Sequence, residues 1–255
     1  DFSKKYGPGY DSIIEYRDKI SKKLSSLDNR DEEIKDIENK IRLLRENVYD
    51  LGKKISAKRI TGASELKKKI EAELEQLGMK ETQFNVDIIP ISRNAGVEVR
   101  DSNDSCLAGE YGLEDIEFII SPNPGEPLKA LAKIASGGEI SRIMLALKTV
   151  LAKVDAIPLL VFDEIDAGIG GDISSLIGKK LKDLTQNHQI ICITHLHQIA
   201  SFADQHFQVR KGEKNGRTRT EVEQLTQEER VAEIARMISG DEITDLTIEH
   251  ARQFL

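Results

Sequence analysis

Three short runs hold the residues of this chain that have chemistry to offer: Ser136-Gly-Gly-Glu-Ile140, Leu159-Leu-Val-Phe-Asp-Glu164 and Ile190-Ile-Cys-Ile-Thr-His195. The first opens a helical pattern with Gly137 and Gly138, which let the backbone come close to a ligand. Free N–H groups and the helix dipole favour an anion there. Ser136 is placed to cap the helix and to donate to a phosphate oxygen. Glu139 falls in the first turn, where negative charge suits the dipole. The second run is an apolar strand ending in two carboxylates, and open α/β sheets bind ligands at the carboxyl ends of their strands. Asp163 can hold Mg2+, directly or through water, and Glu164 can take a proton from an attacking water. His195 can hydrogen-bond a γ-phosphate or position that water. His197 lies two residues further from the strand end.

Each run alone is also what an ordinary turn or strand end looks like. Their order and spacing carry the reading. Ser136 precedes Asp163 by 27 residues and Asp163 precedes His195 by 32. Each interval holds one helix and one strand, so the three runs emerge on the same edge of one sheet. No Gly-x-x-x-x-Gly-Lys-Ser/Thr loop, which cradles the phosphates of ATP, occurs in the 255 residues. The chain therefore carries half of a nucleotide site, and alone it is expected neither to bind ATP tightly nor to hydrolyse it.

The elements that position these runs follow from periodicity. Ile34, Ile37, Ile41, Leu44, Val48, Leu51 and Ile55 step alternately by 3 and 4, the seam of a coiled coil. Ile13, Ile20 and Leu27 continue the seven-residue step, but Tyr16, Lys23 and Arg30 fray the alternate positions. A helix over residues 10–58 would run roughly 70 Å and needs a partner helix, expected antiparallel and upstream. Lys5-Tyr-Gly-Pro-Gly9 reads as a turn, the remains of a hairpin tip. Gly62 is expected to separate this helix from a second one over 63–77, with Gly78 as its C-cap. Alternation at Phe84, Val86 and Ile88 predicts a strand, with others at 97–100 and 116–120. Residues 94–96 and 101–105 read as turns, and the proline-rich run 121–127 as a loop. Helix and strand then alternate: helix 138–153, strand 159–162 buried on both faces, helix 173–184, strand 189–194, short helix 196–202, strands 206–210 and 218–225, helix 227–239 with a Thr226/Glu229 capping box, and helix 245–254.

Composition fits this plan. Charged residues make up 32% and aromatics 5%, as in long solvated helices on a modest core. The net charge of −7 argues against a surface wholly built for nucleic acid, though averages hide patches. The two cysteines, Cys106 and Cys192, make neither a disulfide framework nor a zinc site. No signal-peptide pattern or bilayer-length apolar run is present. The start at Asp1 without methionine suggests a fragment.

On these motifs the chain resembles the ABC ATPase superfamily, in its branch related to structural-maintenance-of-chromosomes (SMC) proteins. Ser136-Gly-Gly-Glu139 is similar to the signature motif, residues 159–164 to Walker B and His195 to the switch histidine. Ala167-Gly-Ile-Gly170 falls at the D-loop, with Gly168 and Gly170 as backbone contributors. Gly170 stands where an acidic residue is usual. The run Ser121-Pro-Asn-Pro-Gly-Glu-Pro-Leu-Lys-Ala-Leu-Ala-Lys-Ile-Ala-Ser-Gly-Gly-Glu139 resembles RecN-type bacterial DNA-repair proteins. So do Phe162-Asp-Glu-Ile-Asp-Ala-Gly168, Cys192-Ile-Thr-His-Leu196 and Ile234-Ala-Arg-Met237. His197 departs from the proline expected there.

The resemblance implies an α/β fold: the C-terminal lobe of an ABC-type P-loop ATPase head with a parallel sheet core (81–255) and a long N-terminal coiled-coil arm (1–80). It implies an ATPase with ATP and Mg2+ as cofactors, acting in recombinational repair of DNA double-strand breaks in the cytoplasm, at the nucleoid. Glu164 and His195 would be catalytic and Asp163 would hold the metal. Ser136, Gly137, Gly138, Glu139, Gly168 and Gly170 would contact nucleotide. The implied partners are the protein's own N-terminal Walker A lobe, a second head of the same kind, DNA and the recombinase machinery, with no membrane. Two other readings stand beside it. One is a non-catalytic coiled-coil interaction module with a degenerate ATPase head, which the absent Walker A favours and the retained Asp163, Glu164 and His195 disfavour. The other is a transporter ATPase subunit, which the charged coiled coil disfavours.

Overall fold

A computed structural model of the chain describes residues 5–7, 9–92, 96–100, 105–134, 136–214, 217–240 and 242–255. The expected turn over 94–96 and the loop over 101–105 fall mostly outside them, as does Pro8 of the expected hairpin tip. The chain forms two compact units, one of residues 1–60 with 88–115 and one of residues 61–87 with 116–255.

Helix α1, Tyr10–Gln76, is continuous over 67 residues, so the expected break at Gly62 does not occur. One glycine costs a helix interior only about 1 kcal/mol relative to alanine. Its Cβ position meets nothing within 4 Å, and the turns beyond it are held by buried Ile70, Leu74 and Leu77. Gly78 follows the last turn at φ +82°, and the N–H of Met79 returns to the Leu74 carbonyl at 2.9 Å, which closes the helix as the sequence predicts.

In the first unit every seam residue of α1 from Ile13 to Ile55 is exposed. A different stripe of the same helix is covered. Tyr49 is buried with Val99 and Leu113, beside Cys106 and Ala108. These come from strands β2, Val97–Arg100, and β3, Ser105–Ala108, an antiparallel pair, and from the segment after it. Leu113 sits so close to Gly52 that any side chain there would overlap it. Arg59 pairs with Glu114 at 3.2 Å and donates to the Tyr111 carbonyl at 2.5 Å.

The second unit carries the larger core. Strands β1, Gln83–Pro90, β4, Glu114–Ser121, and β5, Lys129–Ala130, form a sheet in the order β1-β4-β5. Helix α2, Gly137–Leu151, leads to strand β6, Leu159–Phe162. Helix α3, Gly171–Leu184, then returns the chain to strand β7, Gln189–Cys192. Strands β6 and β7 are parallel and in register, Leu159 beside Gln189 through Phe162 beside Cys192. Leu74, Phe84, Ile120, Ile143, Phe162 and Ile177 are among the residues closing one core between the end of α1, both sheets, α2 and α3. Short helix α4, His197–Ala200, hairpin strands β8, Phe207–Lys214, and β9, Arg217–Gln224, and helices α5, Gln227–Ser239, and α6, Asp245–Phe254, complete the unit. The capping box between Thr226 and Glu229 is present.

One expectation is corrected here. The run 159–162 is not buried on both faces: Leu160 and Phe162 enter the core while Leu159 and Val161 are exposed, as are Ile191 and Ile193 in and just beyond β7. Among the described residues, α2 and α3 pack with the core face of the parallel pair, and the side chains of the other face stay exposed.

Candidate functional site

The three runs meet at the carboxyl ends of β6 and β7. The N–H of Ile193 donates to the Phe162 carbonyl at 2.9 Å, so Asp163 and Thr194 leave the sheet side by side. Helix α2 brings its N-terminus to the same end. Ser136 is its N-cap, accepting from the N–H of Glu139 at 3.5 Å.

Two side chains one turn into α2 tie that end to the loop after β6. The Ser141 hydroxyl donates to the Asp163 carbonyl at 2.6 Å, and Arg142 donates to the Ala167 carbonyl at 2.8 Å. Partial burial pulls the Arg142 guanidinium below its ordinary pKa, and Glu139 opposes that shift. The approach is close at both glycines. A methyl group at Gly137 would overlap the Glu164 carboxylate, and one at Gly138 would stand 2.9 Å from the Ala167 side chain and 3.1 Å from the Glu164 carbonyl.

The loop itself is strained at the residue with the most chemistry. Glu164 has φ +56°, the left-handed region, and is the one non-glycine there among the described residues. Such a conformation costs on the order of 1 kcal/mol or more and persists only where its surroundings impose it. The Ala167 N–H closes the turn onto the Glu164 carbonyl at 3.0 Å, and Asp163 Oδ1 accepts from the Glu164 N–H at 2.9 Å. Asp163 is exposed, with its second oxygen left for a cation. No group of three or more His, Cys, Asp or Glu able to hold a metal occurs among the described residues. One carboxylate suits Mg2+ that arrives on phosphates, since this ion keeps most of its shell as water and phosphate oxygen.

Asp166 is a site residue that the spacing argument passed over. It is 5% exposed; its Oδ2 accepts from the Thr194 hydroxyl at 2.5 Å and from the His195 N–H at 3.0 Å, and lies 3.0 Å from His195 Nδ1. The ring is 75% exposed. With Nδ1 engaged, Nε2 is the atom left for a ligand. It donates to a phosphate oxygen from the imidazolium, or accepts a water proton from the neutral ring. The signal lay in the sequence as an aspartate two residues past Glu164, within reach of the neighbouring strand end. Gly168, at φ +70°, and Gly170, the N-cap of α3 at φ −91°, lie further along the same loop, with nothing within 4 Å of either Cβ position. Burial, with Asp166 and Asp163 adding to it, pushes the Cys192 thiol up to about 12, so it stays protonated and inert.

The arrangement thus offers an anion-binding helix end, a cation ligand, a carboxylate base and an oriented imidazole, within one sheet edge. Comparison with known proteins fits it. A DNA repair protein RecN from Halalkalibacterium halodurans is 40% identical over 252 residues, covering 99% of this chain and 43% of that protein. The Bacillus subtilis DNA repair protein RecN is 37% identical over 254 residues, with shares of 99% and 44%. The chain therefore spans less than half the length of these relatives. Among solved structures, the Smc head domain with a coiled coil and joint from Pyrococcus yayanosii superposes with a TM-score of 0.54 at 18% identity, over 96% of this chain and 39% of that one. That likeness speaks to the fold. The RecF/RecN/SMC N terminal domain matches residues 13–218, and the chain belongs to that family.

Proposed function

We propose that this chain is the C-terminal part of a RecN-type, ATP-dependent DNA-repair protein: a coiled-coil arm over residues 1–80 and the C-terminal lobe of an ATPase head over 81–255. The observation that carries the proposal is the convergence of Ser136–Gly138, Asp163–Glu164 and the Asp166–His195 pair on one sheet edge. Asp163 holds Mg2+, which neutralises phosphate charge when bound. Glu164 takes the proton of the attacking water, and His195 addresses the γ-phosphate. Ser136 and the glycines after it serve a nucleotide held by a second head, as expected of a two-fold dimer with reciprocal surfaces. In this chain the Glu164 carboxylate rests on its own Gly137, so head engagement turns it away toward its own nucleotide.

An upstream lobe carrying the phosphate loop is the second partner. Among the described residues β7 pairs with β6 alone. Beside it lies a groove of about 1130 Å³, lined in part by Ile191, Ile193, Val209 and Val222. His188 Nε2 and His206 Nδ1 also line it, buried and without a hydrogen-bond partner. Unpaired strand edge, apolar side chains and orphaned ring nitrogens all call for protein there. The implied setting is the cytoplasm, at the nucleoid.

Two outcomes are expected of steady-state hydrolysis assays. The chain alone shows no turnover, and adding a separately expressed upstream lobe restores it. Turnover by the chain alone that Glu164→Gln abolishes, or no restoration by the lobe, overturns the reading. Separately, Gly137→Ala in the full-length protein puts a methyl group where the second head's nucleotide must approach, and lowers hydrolysis by about 10²-fold; the melting midpoint stays unchanged, because within the chain only the far end of the Glu164 side chain must move. A parent-like rate would show that the Gly137 contact is dispensable.

A further inference from the structure

Val209 and Val222 of the β8–β9 hairpin line the groove described above, but the charged face opposite them has no role in the ATPase reading, and its charge runs against the rest of the chain. Residues 210–219 hold five cations, Arg210, Lys211, Lys214, Arg217 and Arg219, against the single carboxylate of Glu213, in a protein of net charge −7. The acidic residues of β9 are confined to the base, at Glu221 and Glu223.

The register sorts these charges. Arg210 stands opposite Glu221, Gly212 opposite Arg219, and Lys214 opposite Arg217. Residues at this spacing alternate faces, so Arg210 and Gly212 share one face with Glu221 and Arg219. Neutralisation therefore stops at the Arg210–Glu221 pair. At the next position Arg219 stands opposite Gly212, with no acid across from it. A strand with no ligand would gain from an acid there.

Gly212 lies in the middle of this cationic face. A glycine inside a strand weakens it, and often marks where another backbone approaches closely. No turn or positive φ requires it here, and its Cβ position meets nothing within 4 Å. It leaves a flat notch bordered by Arg210 along the strand and Arg219 across it. The base is fixed to the body: the Gln208 amide donates to Glu233 at 2.5 Å, and Arg210 to the Gln208 oxygen at 2.7 Å. The residues from Val209 to Gly212 and from Thr218 to Gln224 are exposed. A rigidly rooted two-stranded ribbon with cations around a backbone-deep notch fits a polyanion whose charges repeat along a backbone. Two-stranded ribbons have the width to enter a DNA groove. Arginine also pairs with guanine edges, and the equal loss for unrelated sequences expected below is what assigns this face to phosphates.

We propose that the face of the β8–β9 hairpin bearing Arg210, Gly212 and Arg219 is a phosphate-contact surface for duplex DNA. This rests on the DNA-repair reading above. The test uses the full-length protein and a fluorescently labelled duplex of mixed sequence, with binding measured across a salt series. Arg210→Gln/Arg219→Gln should weaken binding equally for unrelated sequences and reduce the slope of log K against log salt by about 2. Gly212→Glu, which has room for its side chain, should weaken it at least tenfold. Hydrolysis measured without DNA should stay at the parent rate for both. Parent-like affinity and slope in both variants overturn the hairpin assignment and leave the DNA-repair reading standing. If the parent itself binds no duplex at any salt, both fall together. Equal loss of binding and of DNA-free hydrolysis shows a damaged head, and overturns the assignment as well.

Discussion

Glu164→Gln in the full-length protein is expected to lower steady-state ATP hydrolysis by about 10²- to 10⁴-fold, the range that a positioned general base supplies. ATP binding should survive, since the amide keeps the size of the carboxylate and the helix end at Ser136 is untouched. Neither Ser141 nor Arg142 should respond, because they hold the backbone carbonyls of Asp163 and Ala167 rather than the Glu164 side chain. The left-handed backbone at Glu164 sharpens the expectation. A residue held at that φ is aimed by its loop, so Gln places its amide where the carboxylate stood and tests chemistry rather than folding. Single-turnover measurement beside an ATP-binding assay separates the outcomes. A rate within threefold of the parent assigns the base elsewhere.

Asp166→Ala should have the next largest effect. One buried oxygen accepts from Thr194 and from the His195 backbone and lies against the His195 ring, so its removal strands two donors and releases the ring. Outer-shell partners of this kind typically matter by about 10- to 100-fold in activity, and a stranded buried donor costs about 1–3 kcal/mol. The substitution should therefore lower both the turnover number and the melting temperature. Asp166→Asn retains one acceptor oxygen but faces the same donors with an amide nitrogen, and should recover stability better than turnover. His195→Ala in the Asp166→Ala background separates the roles. If Asp166 acts through His195, the double variant turns over no more slowly than His195→Ala alone. Multiplying losses would make Asp166 a structural residue only.

The parts of the fold that a local pattern can specify were legible in the chain. The capping box at Thr226 and Glu229, the strand 159–162 and the helix ending before Gly78 depend on neighbours in sequence, and residue type decides them. The break expected at Gly62 was wrong because propensity weighs one residue, whereas a long helix anchored by Ile70, Leu74 and Leu77 tolerates it. Strand β3 and the cover over Tyr49 and Gly52 were illegible for another reason. That stripe of α1 is not apolar: it works because Gly52 admits Leu113 and Arg59 finds Glu114, which are contacts across more than fifty positions. At the site the motif residues could be named from type and spacing. The clamp of Ser141 and Arg142, and the hold of Asp166 on His195, needed the strand ends brought side by side.

The central claim is that Ser136 and Glu164 of one chain serve two different nucleotides, although Gly137 and Glu164 touch. Mixing resolves it. Full-length Ser136→Arg and full-length Glu164→Gln should each be inactive, since each spoils both sites of its own dimer. Mixed dimers pair the intact Glu164 of the first with the intact Ser136 of the second, giving one whole site. After equimolar mixing and re-equilibration, hydrolysis should return to about a quarter of the parent rate, because half of the dimers are mixed and each holds one site of two. No recovery in a mixture shown to contain mixed dimers would place Ser136 and Glu164 at the same nucleotide, and contradict the account.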